Sequence, residues 1–449
     1  MPTKPKVTRR QFLMGCSTAI AAMAGARLTH LAFAEPSSNG YNDEILLAVF
    51  LRGGWDALNV IPPLGGADRG YYEENRPDLK VPAGSLLHLN AQFGMNQALA
   101  PLYNLYQAGH LAVVHAVGLM EDTRSHFDAM QYIELGTPGV TTTGTGWITR
   151  HLQSAPNLPP TIFLPALSAG SSQAESLLGS NEAAAMYSPN DFSIGGNWRW
   201  GDSQRVALRA LYTGDNWLYQ AGTQTLNTLD VVEAANVNNY VPSNGAVYPG
   251  GSFGDNLKTV AQLVKANLGL RAATIDLGGW DTHQYEGDGG GGYLANNQLT
   301  PLGQGLAAFY TDLNNAACAL DYTRKLTVVV MSEFGRRLKE NANHGTDHGH
   351  GNVMFVLGGN VNGGQVYGQW PGLANNQLYQ STDLAVTTDY RRVLSEIVTK
   401  RLGNPNLATV FPGYSGYAPL GILRGSDVAS PPPGPYRLYL PMVANGSGC

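Results

Sequence analysis

Five short apolar runs constrain the fold of this chain more than any other feature. Each is seven or eight residues long and is rich in Val, Leu, Ala or Ile, and together they cover residues 44–51, 110–117, 270–277, 325–331 and 352–358. Runs of this length and composition are typical of strands that are buried on both faces of a sheet. The chain is therefore expected to build its core around such a sheet.

Helix-like segments alternate with these runs. They cover residues 96–107, 256–268, 302–320 and 390–402. Strands that alternate with helices favour a mostly parallel sheet, because parallel strands need a crossover connection that is usually a helix. The sequence therefore predicts a three-layer α/β fold, with helices on both sides of a central sheet.

The alternation is interrupted between about 160 and 250, where Asn, Ser, Gly, Tyr and Trp are frequent. We interpret this stretch as an insertion or cap on an α/β domain that covers 40–425. Residues 426–449 follow as a proline-rich linker, which contains SPPPGP, and a C-terminal tail.

The N-terminus has the pattern of an export signal. Basic residues that include Arg9-Arg10, in the segment TRRQFL, precede an apolar run that ends at Ala32-Phe33-Ala34. This order predicts a signal peptide of the twin-arginine type over 1–34, recognised by the twin-arginine export machinery. The protein is then expected in the periplasm, on the cell surface or outside the cell. A membrane anchor would need a longer apolar stretch, and no later segment is long and apolar enough to span a bilayer.

The charge balance argues against nucleic acid as a partner. The chain has 28 Lys and Arg against 33 Asp and Glu, and loss of the signal would remove five basic residues. The mature net charge would be near −10, whereas a nucleic-acid-binding surface is normally basic.

Polar side chains follow the predicted strands where each strand ends. Asp56 comes after the first run, Asp281 and His283 after the third, and Glu333 after the fourth, while Ser125 follows the second through a loop. Ligand sites of open α/β sheets gather at the carboxyl ends of the strands. We therefore expect these side chains to share one edge.

The segment HGTDHGHGN, residues 344–352, adds Asp347, His348 and His350. Residues two apart in an extended segment point the same way, so Asp281 with His283, and His348 with His350, can each share a centre. Mixed imidazole and carboxylate ligands suit Zn²⁺, Mn²⁺ or Fe²⁺ better than Ca²⁺ or Mg²⁺. The sequence predicts one or two divalent ions, with Zn²⁺ or Mn²⁺ preferred.

Two of the acids have simpler interpretations. Asp56 follows two glycines and could cap the next helix. Glu333 could form a structural salt bridge with Arg336 or Arg337.

Other polar residues also have structural alternatives. Ser125 and Asp128 have the spacing of a capping box, although a helix N-terminus can also bind anions. His115 lies inside an apolar run, where a core histidine is expected, and we expect His344 to be exposed to solvent.

The motifs LRGGWDALN, TRSHFDAMQ, LGGWDTHQ, VVVMSEFGRR and GTDHGHGNVMFVLGG occur in this order. Together, from about 44 to 420 and behind a twin-arginine signal, they resemble the bacterial exported family known as domain of unknown function 1501. That family is similar to the alkaline phosphatase and sulfatase superfamily. The resemblance implies an alkaline phosphatase-like fold.

The resemblance also implies roles for the residues after the strands. Asp56 would bind one metal ion, and Asp281 with His283 would bind another. Ser125 would be the nucleophile, with Thr123 as the alternative.

One part of the superfamily pattern is altered. An Asp-His pair usually follows the next strand, but Glu333-Phe334 stands there in this chain. Asp347 with His348, or His350, would then supply the missing imidazole.

The function expected from the resemblance is metal-dependent hydrolysis of phosphate or sulfate esters, in small-molecule or polymer substrates. Arg124 or Arg52 would stabilise the negative charge of the transition state. The alternative is a non-catalytic exported protein that binds a partner or the cell envelope and keeps a structural or vestigial metal site.

Overall fold

The computed structural model describes residues 41–159, 162, 164–190, 192–194, 201–234, 240–287, 290–314 and 321–427. The predicted signal peptide and the tail from residue 428 onward lie outside the described residues. None of the helices in the described ranges combines the length and the apolar character needed to cross a lipid bilayer.

Thirteen strands occur in the described ranges. In chain order they are β1 Ile45–Leu51, β2 Leu87–His88, β3 Gly94–Met95, β4 Leu111–Gly118, β5 Ala166–Ala169, β6 Ala183–Met186, β7 Ala272–Leu277, β8 Leu326–Met331, β9 Arg336–Glu340, β10 Thr346–His348, β11 Asn352–Leu357, β12 Val366–Tyr367 and β13 Thr388–Asp389. Nine of them form the central sheet, in the order β12-β4-β11-β8-β1-β7-β5-β6 with β13 also paired to β4. The pairs β9–β10 and β2–β3 form two small sheets.

Helices cover the connections between these strands. They are α1 Ala57–Val60, α2 Gly66–Asn75, α3 Ala100–Gln107, α4 His126–Leu135, α5 Trp147–Ser154, α6 Gly201–Leu211, α7 Trp217–Ala234, α8 Ser252–Lys265, α9 Thr300–Leu313, α10 Tyr390–Lys400 and α11 Leu407–Val410. A π-helical segment, Leu294–Leu299, leads into α9.

Side chains of the central strands alternate between two buried faces. Leu47 and Val49 of β1 pack in one apolar cluster with helices α3, α8 and α9, while Leu46 and Ala48 pack in a second with α4, α5 and α10. Burial of an aliphatic side chain stabilises a fold by about 1.5–3 kcal/mol. The predicted mostly parallel sheet, flanked by helices, is confirmed.

Strand β11 is the exception in the central sheet. It runs antiparallel to both β4 and β8, whereas the other pairs in this sheet are parallel. Its first residue therefore lies at the edge where its neighbours end. The histidine-rich segment 344–352 leads into β11, so it arrives at the same edge as the loops after β1, β7 and β8.

The stretch predicted as an insertion is only partly separate from the sheet. Strands β5 and β6, within it, extend the central sheet beyond β7, and α6 and α7 follow them. The sequences ALSA and AAAM of these strands contain no β-branched residue. Strand propensity was therefore too weak for the sequence to reveal them.

Candidate metal centre

The loops after β1 and β7 pack tightly at the carboxyl edge of the sheet. Gly53 has a φ of +126°, and a Cβ atom at this position would lie 2.4 Å from the backbone nitrogen of Asp281. Only glycine can bring the two backbones this close. This contact fixes where Asp281 leaves the end of β7.

Four side chains from three parts of the chain meet at this edge. The ligand atoms of His126, Asp281 and His348 lie within 4.8 Å of one another. The Nε2 atoms of His283 and His348 each lie 3.1 Å from Asp281 Oδ1, and His126 Nε2 lies 3.4 Å from it. The Nε2 atoms of His283 and His348 are themselves 2.9 Å apart. Three imidazoles thus point one nitrogen each at a single carboxylate oxygen.

The opposite nitrogen of His126 is fixed by Glu333. His126 Nδ1 lies 2.7 Å from Glu333 Oε1, an oxygen that also accepts a hydrogen bond of 2.7 Å from the backbone nitrogen of Gly53. Because the carboxylate oxygen is the acceptor, Nδ1 of the ring carries the proton. The bond also explains why the pKa of His126 is raised.

The other two rings are held in the same way. His348 Nδ1 donates to the backbone carbonyl of Arg124 over 2.8 Å. His283 Nδ1 lies 3.1 Å from Asp347 Oδ1, which also accepts a hydrogen bond from the Asn341 side chain. Both partners are acceptors, so both rings carry their proton on Nδ1. Metal-binding histidines show this arrangement, in which the other ring nitrogen donates to a carboxylate or a carbonyl.

The consequence is an unfavourable cluster of lone pairs. In their neutral forms the three rings direct Nε2 lone pairs toward each other and toward the Asp281 carboxylate. His126 Nε2 is buried and makes no hydrogen bond. Buried polar atoms normally have a partner, and a cation among these four atoms would satisfy all of them. The donor set therefore fits a divalent metal ion with nitrogen and oxygen ligands.

Arg336 holds the carboxylate in place. It is fully buried on β9, directly opposite His348 of β10, and its guanidinium donates to Asp281 Oδ1 over 2.7 Å. Partial burial would raise the pKa of Asp281, but the hydrogen bond and the charge of Arg336 outweigh it and lower the pKa to about 2. Asp281 is therefore an anion over the physiological range, and its side chain is 47% exposed.

Asp56 is not part of this cluster. Its side chain is fully buried, and both oxygens pair with the guanidinium of Arg76, which is fully buried as well, with an Nη2 to Oδ1 distance of 2.9 Å. Asp56 makes no side-chain cap at α1 either. The structure thus places Asp56 in a closed ion pair, in neither of the roles that the sequence offered.

Three further predicted site residues have other partners. The ring of His350 is buried and stacks on Tyr379 at 4.1 Å. The side chain of Arg124 pairs with the buried carboxylate of Asp383, so only its backbone carbonyl reaches the cluster. Ser125 Oγ accepts from the backbone nitrogen of Asp128 as the N-cap of α4.

The structure also decides several of the alternatives. Glu333 and Asp347 contact the Nδ1 atoms of His126 and His283, so they lie behind the imidazoles rather than among the converging atoms. The alternative for Glu333, a salt bridge with Arg336 or Arg337, is absent from the described ion pairs, in which Arg336 faces Asp281 and Arg337 faces Asp383. His115 is a core histidine, as expected, and burial lowers its pKa to about 4. His344 is exposed, as expected.

Sequence reasoning missed His126. Its signal was present, since it follows the second predicted strand and stands directly after Ser125. The capping pattern of Ser125 and Asp128 drew attention to the serine. When a helix starts at the carboxyl edge of a sheet, its first residue is as well placed to bind a metal ion as the N-cap residue before it.

A cleft of about 380 Å³ is lined in part by α4, the helix that begins at His126. Met130 and Glu134 line it, four and eight residues along α4 from His126, so all three lie on one helix face. Arg52 also lines it, but its charge is paired with Glu134 at 3.0 Å and with Asp276 at 2.7 Å.

Residues 222–402 match the family described as "Protein of unknown function (DUF1501)". The match supports the family that the motifs indicate. The matched span contains Asp281, His283, Glu333 and His348, whereas His126 precedes it. No curated protein matches the chain.

Proposed function

We propose that this chain binds one divalent metal ion through His126, Asp281, His283 and His348, and hydrolyses phosphate or sulfate esters at that site. The observation that carries the proposal is the convergence of three imidazole Nε2 atoms on one carboxylate oxygen, within 3.1–3.4 Å.

The donor set favours one ion rather than two. Zn²⁺ and Mn²⁺ both accept imidazole nitrogen with carboxylate oxygen. Among the described residues, His126, Asp281 and His348 form the group with metal-site spacing, and the carboxylate of Asp56 is sealed by Arg76. A second ion would lack that carboxylate.

The exposed side of the cluster is where a reaction would occur. The side chains of Asp281 and His283 are 47% and 42% exposed, so solvent and substrate have access to them. When bound, a divalent ion there would polarise the ester and lower the pKa of a water molecule. Water is the nucleophile in this proposal, because Ser125 Oγ is engaged at the start of α4.

The protein residues have distinct tasks. The three histidines and Asp281 bind the ion, and Glu333, Asp347 and the Arg124 carbonyl orient the rings. The cleft beside α4 would take the organic part of the ester. Since Arg52 is already paired with two acids, we expect the cleft to admit a neutral group rather than a further anion.

A second candidate is a non-catalytic metal-binding protein. The positions of Ser125 and Arg124 favour it, because the hydroxyl caps a helix and the guanidinium pairs with Asp383. Neither side chain is then free for the roles that the superfamily resemblance implies.

Metal analysis followed by an activity panel tests both candidates. Protein purified without chelator should contain about one equivalent of Zn²⁺ or Mn²⁺, and Asp281→Ala should lose it. His88→Ala, which changes an exposed histidine of β2, should keep it. Metal-dependent hydrolysis of phosphate monoesters, phosphate diesters or sulfate esters would support the enzyme, and metal without any turnover would support the second candidate. Protein that takes up neither ion would refute both.

A further inference from the structure

Glu286 is a fully buried acid just outside the candidate metal ligands. It follows Asp281 and His283 in the same loop, but its carboxylate points away from the cluster toward neighbouring segments. A carboxylate without exposure must be satisfied by internal partners. Those partners identify its role.

Two threonine hydroxyls share one oxygen of Glu286. Thr282 Oγ1 donates to Oε2 over 3.0 Å, and Thr346 Oγ1 donates to the same atom over 2.8 Å. Thr282 stands between Asp281 and His283, and Thr346 begins the strand that ends at His348. The carboxylate therefore bridges the two segments that carry three of the four candidate ligands.

The same residue is anchored behind the cluster. Its other oxygen lies 3.4 Å from the side-chain nitrogen of Asn59 on α1, the helix that directly follows Asp56. Asp56 is in turn fixed by Arg76. Glu286 thus connects both ligand segments to α1, which begins directly after Asp56.

We propose that Glu286, through Thr282 and Thr346, is a positioning residue that sets the distance between the Asp281–His283 loop and His348. The inference rests on the proposed metal site. It is expected to matter because the donor atoms of such a site must be held within about 0.5 Å of their productive positions. A backbone hydrogen bond between the threonines, from Thr346 N to Thr282 O at 3.0 Å, joins the same two segments.

Substitutions of the two threonines test the bridge without changing a charge. Thr282→Val and Thr346→Val keep the side-chain shape and remove the hydroxyl, whereas Thr282→Ser and Thr346→Ser keep the hydroxyl. Affinity for Zn²⁺ and for Mn²⁺ is measured by competition with a chromophoric chelator. Each valine variant should bind about 10–100-fold more weakly, as expected for a residue that orients ligands, and each serine variant should stay close to the wild type.

The double variant sharpens the test. If one oxygen of Glu286 holds both segments together, removal of either hydroxyl opens the bridge and removal of the second adds little. The combined loss of affinity in Thr282→Val/Thr346→Val should therefore be well below the product of the single losses. A strictly multiplicative loss would contradict a shared bridge.

Unfolding of the metal-free variants in urea separates positioning from a purely structural role. Valine variants that unfold more easily yet bind metal like the wild type would overturn the inference and leave the proposed function intact. A wild type that binds neither ion would overturn the proposed function itself. The first failure would be seen in the valine variants and the second in the wild type, so the same assay distinguishes them.

Discussion

The sequence Gly-Gly-Trp-Asp occurs twice at the carboxyl edge of the sheet, and its two aspartates have opposite environments. Asp56 ends the first copy, after β1, and Asp281 ends the second, after the neighbouring parallel strand β7. The tryptophans of the two copies pack edge to face, with ring centroids 5.6 Å apart. Yet Asp56 is 1% exposed, and the side chain of Asp281 is 47% exposed.

The difference comes from residues that lie far away in sequence. Arg76 pairs with both oxygens of Asp56, and both side chains are fully buried, so this carboxylate is closed to solvent. Arg336 donates to one oxygen of Asp281, and three histidines face that same oxygen. One copy of the motif ends in a closed ion pair, and the other ends in Asp281, a candidate metal ligand.

Loss of Arg76 should have the largest effect on stability, because it breaks the buried ion pair at Asp56, the aspartate of the first Gly-Gly-Trp-Asp copy. Arg76→Met leaves the carboxylate of Asp56 buried without its cation, and removal of one partner from a buried pair costs about 3–5 kcal/mol. The free energy of unfolding in urea measures this loss. As a control, Asp78→Ala removes an exposed pair with His344 and should change stability by less than about 1 kcal/mol. Equal effects of the two variants would show that burial of the Arg76 pair adds nothing.

Loss of His126 should instead affect the candidate metal site at Asp281, the aspartate of the second Gly-Gly-Trp-Asp copy. His126→Ala removes one of four candidate ligands, and we expect affinity for Zn²⁺ or Mn²⁺ to fall by more than the roughly 10–100-fold expected for an orienting partner. His350→Gln is the matched control, because His350 stacks on Tyr379 and lies outside the cluster. Isothermal titration of the metal-free proteins checks both. A larger loss in His350→Gln than in His126→Ala would return His350 to the ligand set.

The strands were accessible to sequence reasoning, because burial on both faces leaves a run of apolar residues. The run 44–51 corresponds to β1, Ile45–Leu51, and the run 352–358 to β11, Asn352–Leu357. The direction of β11 was not accessible, since an apolar run has the same pattern in a parallel and in an antiparallel strand. That direction is what brings His348 to the edge.

The site was accessible only in part, for a different reason. Asp281, His283 and His348 follow or precede apolar runs, so their place at the edge could be inferred. The burial of Asp56 could not, because Arg76 lies in the polar segment EENRPDLK, where nothing indicates a core residue. Charge pairing between distant residues leaves no periodic signal in a single sequence.

The dependence of stability on pH should reveal a further feature of the surroundings of Asp56, with a smaller effect than the two substitutions above. Burial, followed by the nearby carboxylate of Asp56, raises the pKa of Glu286 to about 8. Because the pKa is higher in the folded state, protonated Glu286 contributes its full stability below the unfolded pKa of about 4.5. This contribution is lost as the pH rises through the folded pKa of about 8. Glu286→Gln should remove this slope. Unfolding of both metal-free proteins between pH 5 and pH 8.5 tests it, and parallel curves would exclude a protonated Glu286.

The smallest effect on stability is expected at Ser125, and this substitution also tests which group is the nucleophile at the candidate metal site. Its hydroxyl accepts from the backbone nitrogen of Asp128, and loss of such a cap costs about 0.5–2 kcal/mol. Ser125→Ala should therefore lower stability by roughly 1 kcal/mol and leave metal affinity unchanged, since His348 is held by the Arg124 carbonyl and not by the serine.

If water is the nucleophile, any esterase activity should survive the substitution, and Thr123→Ala should behave alike. Abolished turnover with metal still bound would instead make Ser125 the nucleophile, and the cap would have to open before each reaction.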